Sequence, residues 1–160
     1  QNRHRPQVSF EYLFASGDGD RHGSPVSTIG GNRPGTTDNS FVGLGFRNTG
    51  LAFAPPISNL HMLRLGGMFR PLPDSKALAN LELGADLFGY MKADRGGAGP
   101  EFRTATDGRC LGEELDIFAN WRITSDLLLT VRYGVFFPGD AFVGTRSSRN
   151  FLFTGITYSF

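Results

Sequence analysis

Apolar and polar residues alternate along much of the chain with a period of two, which places them on opposite faces of extended strands. Leu127, Leu129, Val131, Tyr133, Val135 and Phe137 share one parity, with Thr130, Arg132 and Gly134 on the other. Leu152, Ile156, Tyr158 and Phe160 alternate with Gly155, Thr157 and Ser159 in the last segment. Between Leu115 and Ile123 the apolar set is Leu115, Ile117, Ala119, Trp121 and Ile123, facing Glu114, Asp116, Phe118, Asn120 and Arg122. The same period runs through Val8–Ser16, Asn59–Arg70 and Ala77–Lys92. Six strands follow, each about 9 to 14 residues long, where strands of about 5 to 6 are usual.

Ten charges fall within these strands: Glu11, Arg64, Arg70, Glu82, Asp86, Lys92, Glu114, Asp116, Arg122 and Arg132. All ten take the parity opposite the apolar set. Short turns at Pro71–Lys76 and Thr124–Asp126 alternate with long excursions at 17–57, 93–110 and 138–148. Long strands with short turns at one end and long loops at the other define the expected fold, an all-β, antiparallel, up-and-down transmembrane β-barrel. In hydrocarbon every backbone polar group must be paired and outward side chains must be apolar, so the charges would line the interior. Arg64, Arg70, Glu82, Asp86, Lys92, Glu114, Asp116, Arg122 and Arg132 are the expected lumen residues. Cross-strand ion pairs are expected from Arg64 to Glu82 or Asp86, and from Arg132 to Glu114 or Asp116. Tyr12, Phe14, Met91 and Phe137 near the long-loop end, and Trp121, Tyr158 and Phe160 near the short-turn end, would form interfacial girdles.

Six strands are too few to close a membrane barrel, since the smallest has eight. A hairpin through Val42, Leu44, Phe46, Leu51 and Phe53 would make up the number, but Pro55, Pro56 and the neighbouring glycines argue for a folded extracellular loop. The expectation is a single barrel domain or barrel segment over residues 1–160, the C-terminal part of a larger barrel, completed by further strands or other chains.

Composition narrows the functions. Of 160 residues, 16 are Lys or Arg and 15 Asp or Glu, so the net charge of +1 provides no field for a polyanion such as nucleic acid. No apolar run is long enough for a transmembrane helix, and Gln1–Gln7 does not read as a signal peptide. The single Cys110 excludes an internal disulfide and a cysteine zinc site. Gly43, Gly45 and Asn48 fail the dinucleotide fingerprint. Asp18, Asp20 and Gly23 begin like a calcium loop, but His22 and Ile29 stand where ligands belong. His4, His22 and His61 have no metal spacing, and His61 reads as a boundary residue near the long-loop end. Only His22 with Asp18 or Asp20 offers the elements of a hydrolase, and hydrated loop charge is the stronger reading. Neither enzyme activity nor a cofactor is expected.

Two segments carry a resemblance. Phe136-Phe137-Pro138-Gly139-Asp140-Ala141-Phe142, preceded by Leu111-Gly112-Glu113-Glu114-Leu115-Asp116-Ile117, is similar to the C-terminal region of the alginate export family of outer-membrane porins. Phe14-Ala15-Ser16-Gly17-Asp18, Ser58-Asn59-Leu60 and Tyr158-Ser159-Phe160 extend the resemblance over most of Val8–Phe160. It implies a many-stranded outer-membrane barrel, inserted by the barrel assembly machinery that reads a C-terminal aromatic strand. It also implies a conduit for an anionic polysaccharide moving along Arg64, Arg70, Lys92, Arg122 and Arg132. The expected function is a bacterial outer-membrane channel for polar or anionic solutes. A structural or scaffold barrel, and a soluble β-sandwich or ligand-binding barrel, are the alternatives.

Overall fold

The computed structural model describes residues 2–21, 23–26, 31–101, 104 and 108–160. Six antiparallel strands form one up-and-down sheet in chain order. They are β1 (Gln7–Ala15), β2 (Leu60–Phe69), β3 (Leu81–Met91), β4 (Cys110–Arg122), β5 (Leu127–Pro138) and β6 (Arg149–Tyr158). β1 and β6 are the edges. Between β1 and β2 no strand intervenes among the described residues, only an isolated bridge from Arg21 to Asn32. Residues 42–53, where a hairpin would fall, are all described and form no strand.

Register makes the two faces continuous, because residues directly opposite one another in an antiparallel pair share a face. Phe10 lies opposite Leu65, Leu65 opposite Leu87, Leu87 opposite Leu115, and Leu115 opposite Val135. This apolar face is open, with Phe10 72% and Ile156 73% exposed at its two edges. The other face carries the ten charges expected on it, Arg70 and Lys92 just beyond the ends of β2 and β3.

The strand starts refine the expected bounds, most clearly in β3. β3 starts at Leu81 rather than Ala77, because Ser75 closes one helical turn, its Oγ accepting from Leu78 N at 3.2 Å and its carbonyl from Ala79 N at 3.1 Å. β4 starts at Cys110, where the second excursion was expected to end and four residues ahead of the alternation read from Glu114. A bulge opposite Tyr90 and Met91, with Gly112 at φ 133°, restores register there. The extension puts Glu113 on the apolar face, opposite Phe137 at the long-loop end. β6 starts at Arg149, adding a basic residue to the polar face beside Phe136.

The long connections fold back on the sheet. Asn59 joins the first two, donating from Nδ2 to the carbonyls of Asp94 (3.1 Å) and Ala98 (2.9 Å) and accepting from Asp94 N at 2.6 Å. The Phe137-Pro138-Gly139-Asp140 run caps the start of β4. Asp140 Oδ1 accepts from Cys110 N at 2.8 Å, and Gly139 N donates to the Leu111 carbonyl at 2.9 Å. A side chain at Gly139 would collide with the Cys110 backbone, so the motif's glycine is required by close approach.

Asp18 organises the first connection, accepting from Asn39 N at 2.7 Å and Asp20 N at 2.8 Å. It is a local cap; among the described residues no acidic or histidine group is arranged to hold a metal. His22 and Ile29, the other positions of the calcium-loop reading, lie outside the described residues. The Asn39 and Asp20 donors hold the Asp18 carboxyl below its ordinary value of 3.8. A depressed pKa stabilises above the ordinary value, and that contribution is lost as pH falls through the folded one. Amide exchange at Asp20 and Asn39, corrected for intrinsic rate, should therefore accelerate between about pH 5 and pH 2. Unchanged protection across that range would contradict the cap.

Candidate functional site: the polar face

Reading the register across the strands turns the polar face into rows. Nearest the short turns, Arg122 donates to the Ser125 carbonyl at 3.0 Å. The next row joins Arg70 to Glu82 at 2.9 Å, with Asn120 and Thr130 hydrogen-bonded beyond them at 3.2 Å. Arg132 follows, opposite Phe118. Arg70, Asn80, Glu82, Asn120, Arg122, Thr130 and Arg132 line an open groove of about 360 Å³. Three guanidiniums face one carboxylate in this groove.

Toward the long loops the balance reverses. Asp86 and Asp116 lie directly opposite each other on β3 and β4, and Glu11 and Glu114 occupy the following row. Arg64 offsets two of these charges, reaching Asp86 at 3.0 Å and Glu11 at 3.6 Å while lying 5.8 Å over the Phe88 ring. Gly66 leaves the space that Asp86 and Ser9 fill to make this contact. Asp116 is buried, and its Oδ1 has no hydrogen-bond partner among the described residues. Of the five acids and five bases, three arginines and Glu82 thus lie toward the short turns, and the other four acids lie with Arg64 and Lys92 toward the long loops.

The expected pairing of Arg64 with Asp86 and the possible cross-strand partner Glu82 resolve cleanly: Arg64 takes Asp86, and Glu82 takes Arg70. Arg132 makes no ion pair with Glu114 or Asp116, because register sets it opposite Phe118 on one side and Phe153 on the other. Glu114 has a different role. It is fully buried, and its carboxylate accepts from Leu51 N at 2.5 Å, Ala52 N at 2.7 Å and Phe53 N at 2.8 Å. Lys92 is also buried, at the long-loop end of β3. Neither side chain lies open on the face.

The segment bound by Glu114 crosses the sheet. Arg47 pairs with Glu11 on β1 at 2.7 Å, and the Thr49 carbonyl accepts from Tyr90 Oη on β3 at 2.7 Å. Phe53 stacks on Phe136 of β5 at 4.2 Å and meets Tyr90 edge-on at 5.2 Å. Phe142 from the last connection joins this aromatic cluster. With Leu60, Met62, Phe88 and Leu111 it forms the buried core, which lies on the polar face beneath the loops. Arg149, not singled out from the sequence although β6 begins where the last excursion was expected to end, pairs with Glu101 and sits over the Phe136 and Phe142 rings.

The aromatics expected as girdles lie toward the ends of the apolar face, which also carries Phe10 and Tyr133 in mid-strand. Tyr12, Phe14 and Phe137 are exposed at the long-loop end, and Tyr158 and Phe160 at the other. Trp121 lies flat enough at the short-turn end to donate from Nε1 to the Ala77 carbonyl at 3.1 Å. His61 is hydrogen-bonded to Tyr12 at 2.8 Å and packs against Phe14, at the boundary position expected for it.

These features define an all-β protein built on a meander of long strands, with one apolar surface and one charged surface. A family model described as "Alginate export" matches residues 1–154, and the chain belongs to the alginate export family. No match is found among the curated proteins.

Proposed function

We propose that this sheet is part of the wall of an outer-membrane β-barrel that conducts an anionic polysaccharide. The observation that carries the reading is the partition of the two faces, continuous through strands of 9 to 13 residues. Such strands match the thickness of a bilayer, and an open apolar face of this extent suits lipid better than water. The charged face would then line a wet lumen, with the long connections outside the cell. β1 and β6 would pair with further strands, since hydrocarbon leaves no backbone edge unpaired. The arginine groove at the short-turn end supplies the fixed positive charge that favours carboxylate- or sulfate-bearing chains.

Conductance across planar bilayers tests this. The complete barrel, refolded in detergent, should carry current with anion preference, and Arg132→Glu should lower that preference roughly two- to tenfold by reversing a charge that has no ion-pair partner among the described residues. A folded protein that dispersed as a monomer without detergent and carried no current would refute the conduit and return the soluble-sandwich reading. The segment crossing the polar face favours a second reading, a structural barrel with a plugged lumen. Stable partners with negligible conductance under all conditions would support it.

A further inference from the structure

Resting on the conduit reading, we propose that residues 47–53 form a gate across it, held shut by Glu114. The segment is placed for this work, since its attachments run from Glu11 on β1 through Tyr90 on β3 and Glu114 on β4 to Phe136 on β5. It therefore spans most of the charged face at the level where the sheet passes into the long loops.

The manner of attachment distinguishes a gate from a fixed plug. A plug is retained by broad apolar burial, whereas here Phe53 is the one large side chain of the segment in the buried core, with only the small Ala52 packed against that core beside it. The remaining hold is polar: three backbone N–H groups converge on one carboxylate, and one carbonyl accepts from a tyrosine hydroxyl. A single anion binding three donors can be exchanged for water in one step once Phe53 leaves its ring partners. The flanks suit a change of backbone conformation. Gly45 and Gly50 have φ of 99° and 105°, and Ala54 has φ 45° immediately before Pro55 and Pro56. Ala54 is a non-glycine residue in the left-handed region, which the closed arrangement imposes on it.

Glu114 is a positioning residue in this scheme. It touches no solute and acts by fixing the segment over the face. Closed, the segment covers the carboxylate-rich rows as well as the passage. An anionic polymer loaded at the arginine groove would meet a barrier at the far end until the segment lifted.

A reversible cross-link tests the proposal in the refolded, bilayer-inserted protein. A side chain at Gly134 would lie 3.0 Å from Leu51 Cβ, inside the usual disulfide separation of about 3.5 to 4.5 Å, so Leu51→Cys with Gly134→Cys should form a disulfide in a Cys110→Ser background once the segment shifts outward by a fraction of an ångström. Gel mobility after proteolysis reports the bond independently of current. Oxidation should abolish the open state and a reductant should restore it. Glu114→Gln, which leaves one acceptor oxygen for three donors, should raise the open-to-closed ratio roughly tenfold, and Glu114→Asp should restore part of the closed population. Because Gly134 adjoins Asp116, Ala52→Cys alone gives a second readout. A membrane-impermeant maleimide should label it faster in the Glu114→Gln protein than in the parent. Failure of the disulfide to form together with equal labelling, or a formed disulfide with undiminished current, would overturn the gate while leaving the conduit standing. A formed disulfide in a protein that never conducts, oxidised, reduced or carrying Glu114→Gln, would instead overturn the conduit reading and the gate with it.

Discussion

Replacing Glu114 with alanine is expected to destabilise the folded protein by about 3 kcal/mol and to free the 47–53 segment from the sheet. The carboxylate is fully buried and serves the amides of Leu51, Ala52 and Phe53, none of which gains another acceptor when it is removed. A buried donor left unpaired costs about 1 to 3 kcal/mol, so three would cost roughly 3 to 9. Two effects pull the figure toward the lower limit. Deleting the side chain removes a negative charge near Asp116 and Asp86, and water entering the vacated space pairs some of the amides. Loss of the segment also unstacks Phe53 from Phe136. Urea unfolding of refolded protein measures the change, and amide exchange locates it. A difference below about 1 kcal/mol with unaltered protection at Leu51–Phe53 would show that the carboxylate does not hold the segment.

The second large effect is expected on the opposite face. Ile117→Arg should cost about 2 to 4 kcal/mol when the protein is unfolded from a bilayer, because Ile117 lies near the middle of β4, opposite Ala85 and Tyr133. It is 48% exposed, so in water the same substitution would fall within about 0.5 kcal/mol of neutral. The two environments therefore predict values that do not overlap. A near-neutral result in a bilayer would remove the lipid-facing assignment of the surface and, with it, the membrane conduit.

The strands were legible because their chemistry repeats at every second residue over long spans. A one-residue error would reverse the whole face, and burial of one face's charges is read directly from parity. The ends were less legible. Alternation was read in β4 from Glu114 onward; the bulge that carries the strand back to Cys110 depends on a positive φ and on the neighbouring strand. Arg64's partner could be anticipated, since a cation and an anion of one parity on adjacent strands come within reach. The role of Glu114 could not. Its partners are backbone amides more than sixty residues away, which carry no residue-type signature. For the same reason the charged face was expected to be polar throughout, whereas Phe53 and Phe142 arrive from loops to bury Phe88, Tyr90 and Phe136 on it.

Arg64 binds Glu11 on one neighbouring strand and Asp86 on the other, so a single guanidinium couples β1, β2 and β3. Sliding or splaying any of the three would break a charged contact in a half-shielded setting. That brace makes the panel stiff against bending, and it confines compliance to the connections above it. Mechanical load applied to such a sheet would be expected to deform its connections before it bent its strands.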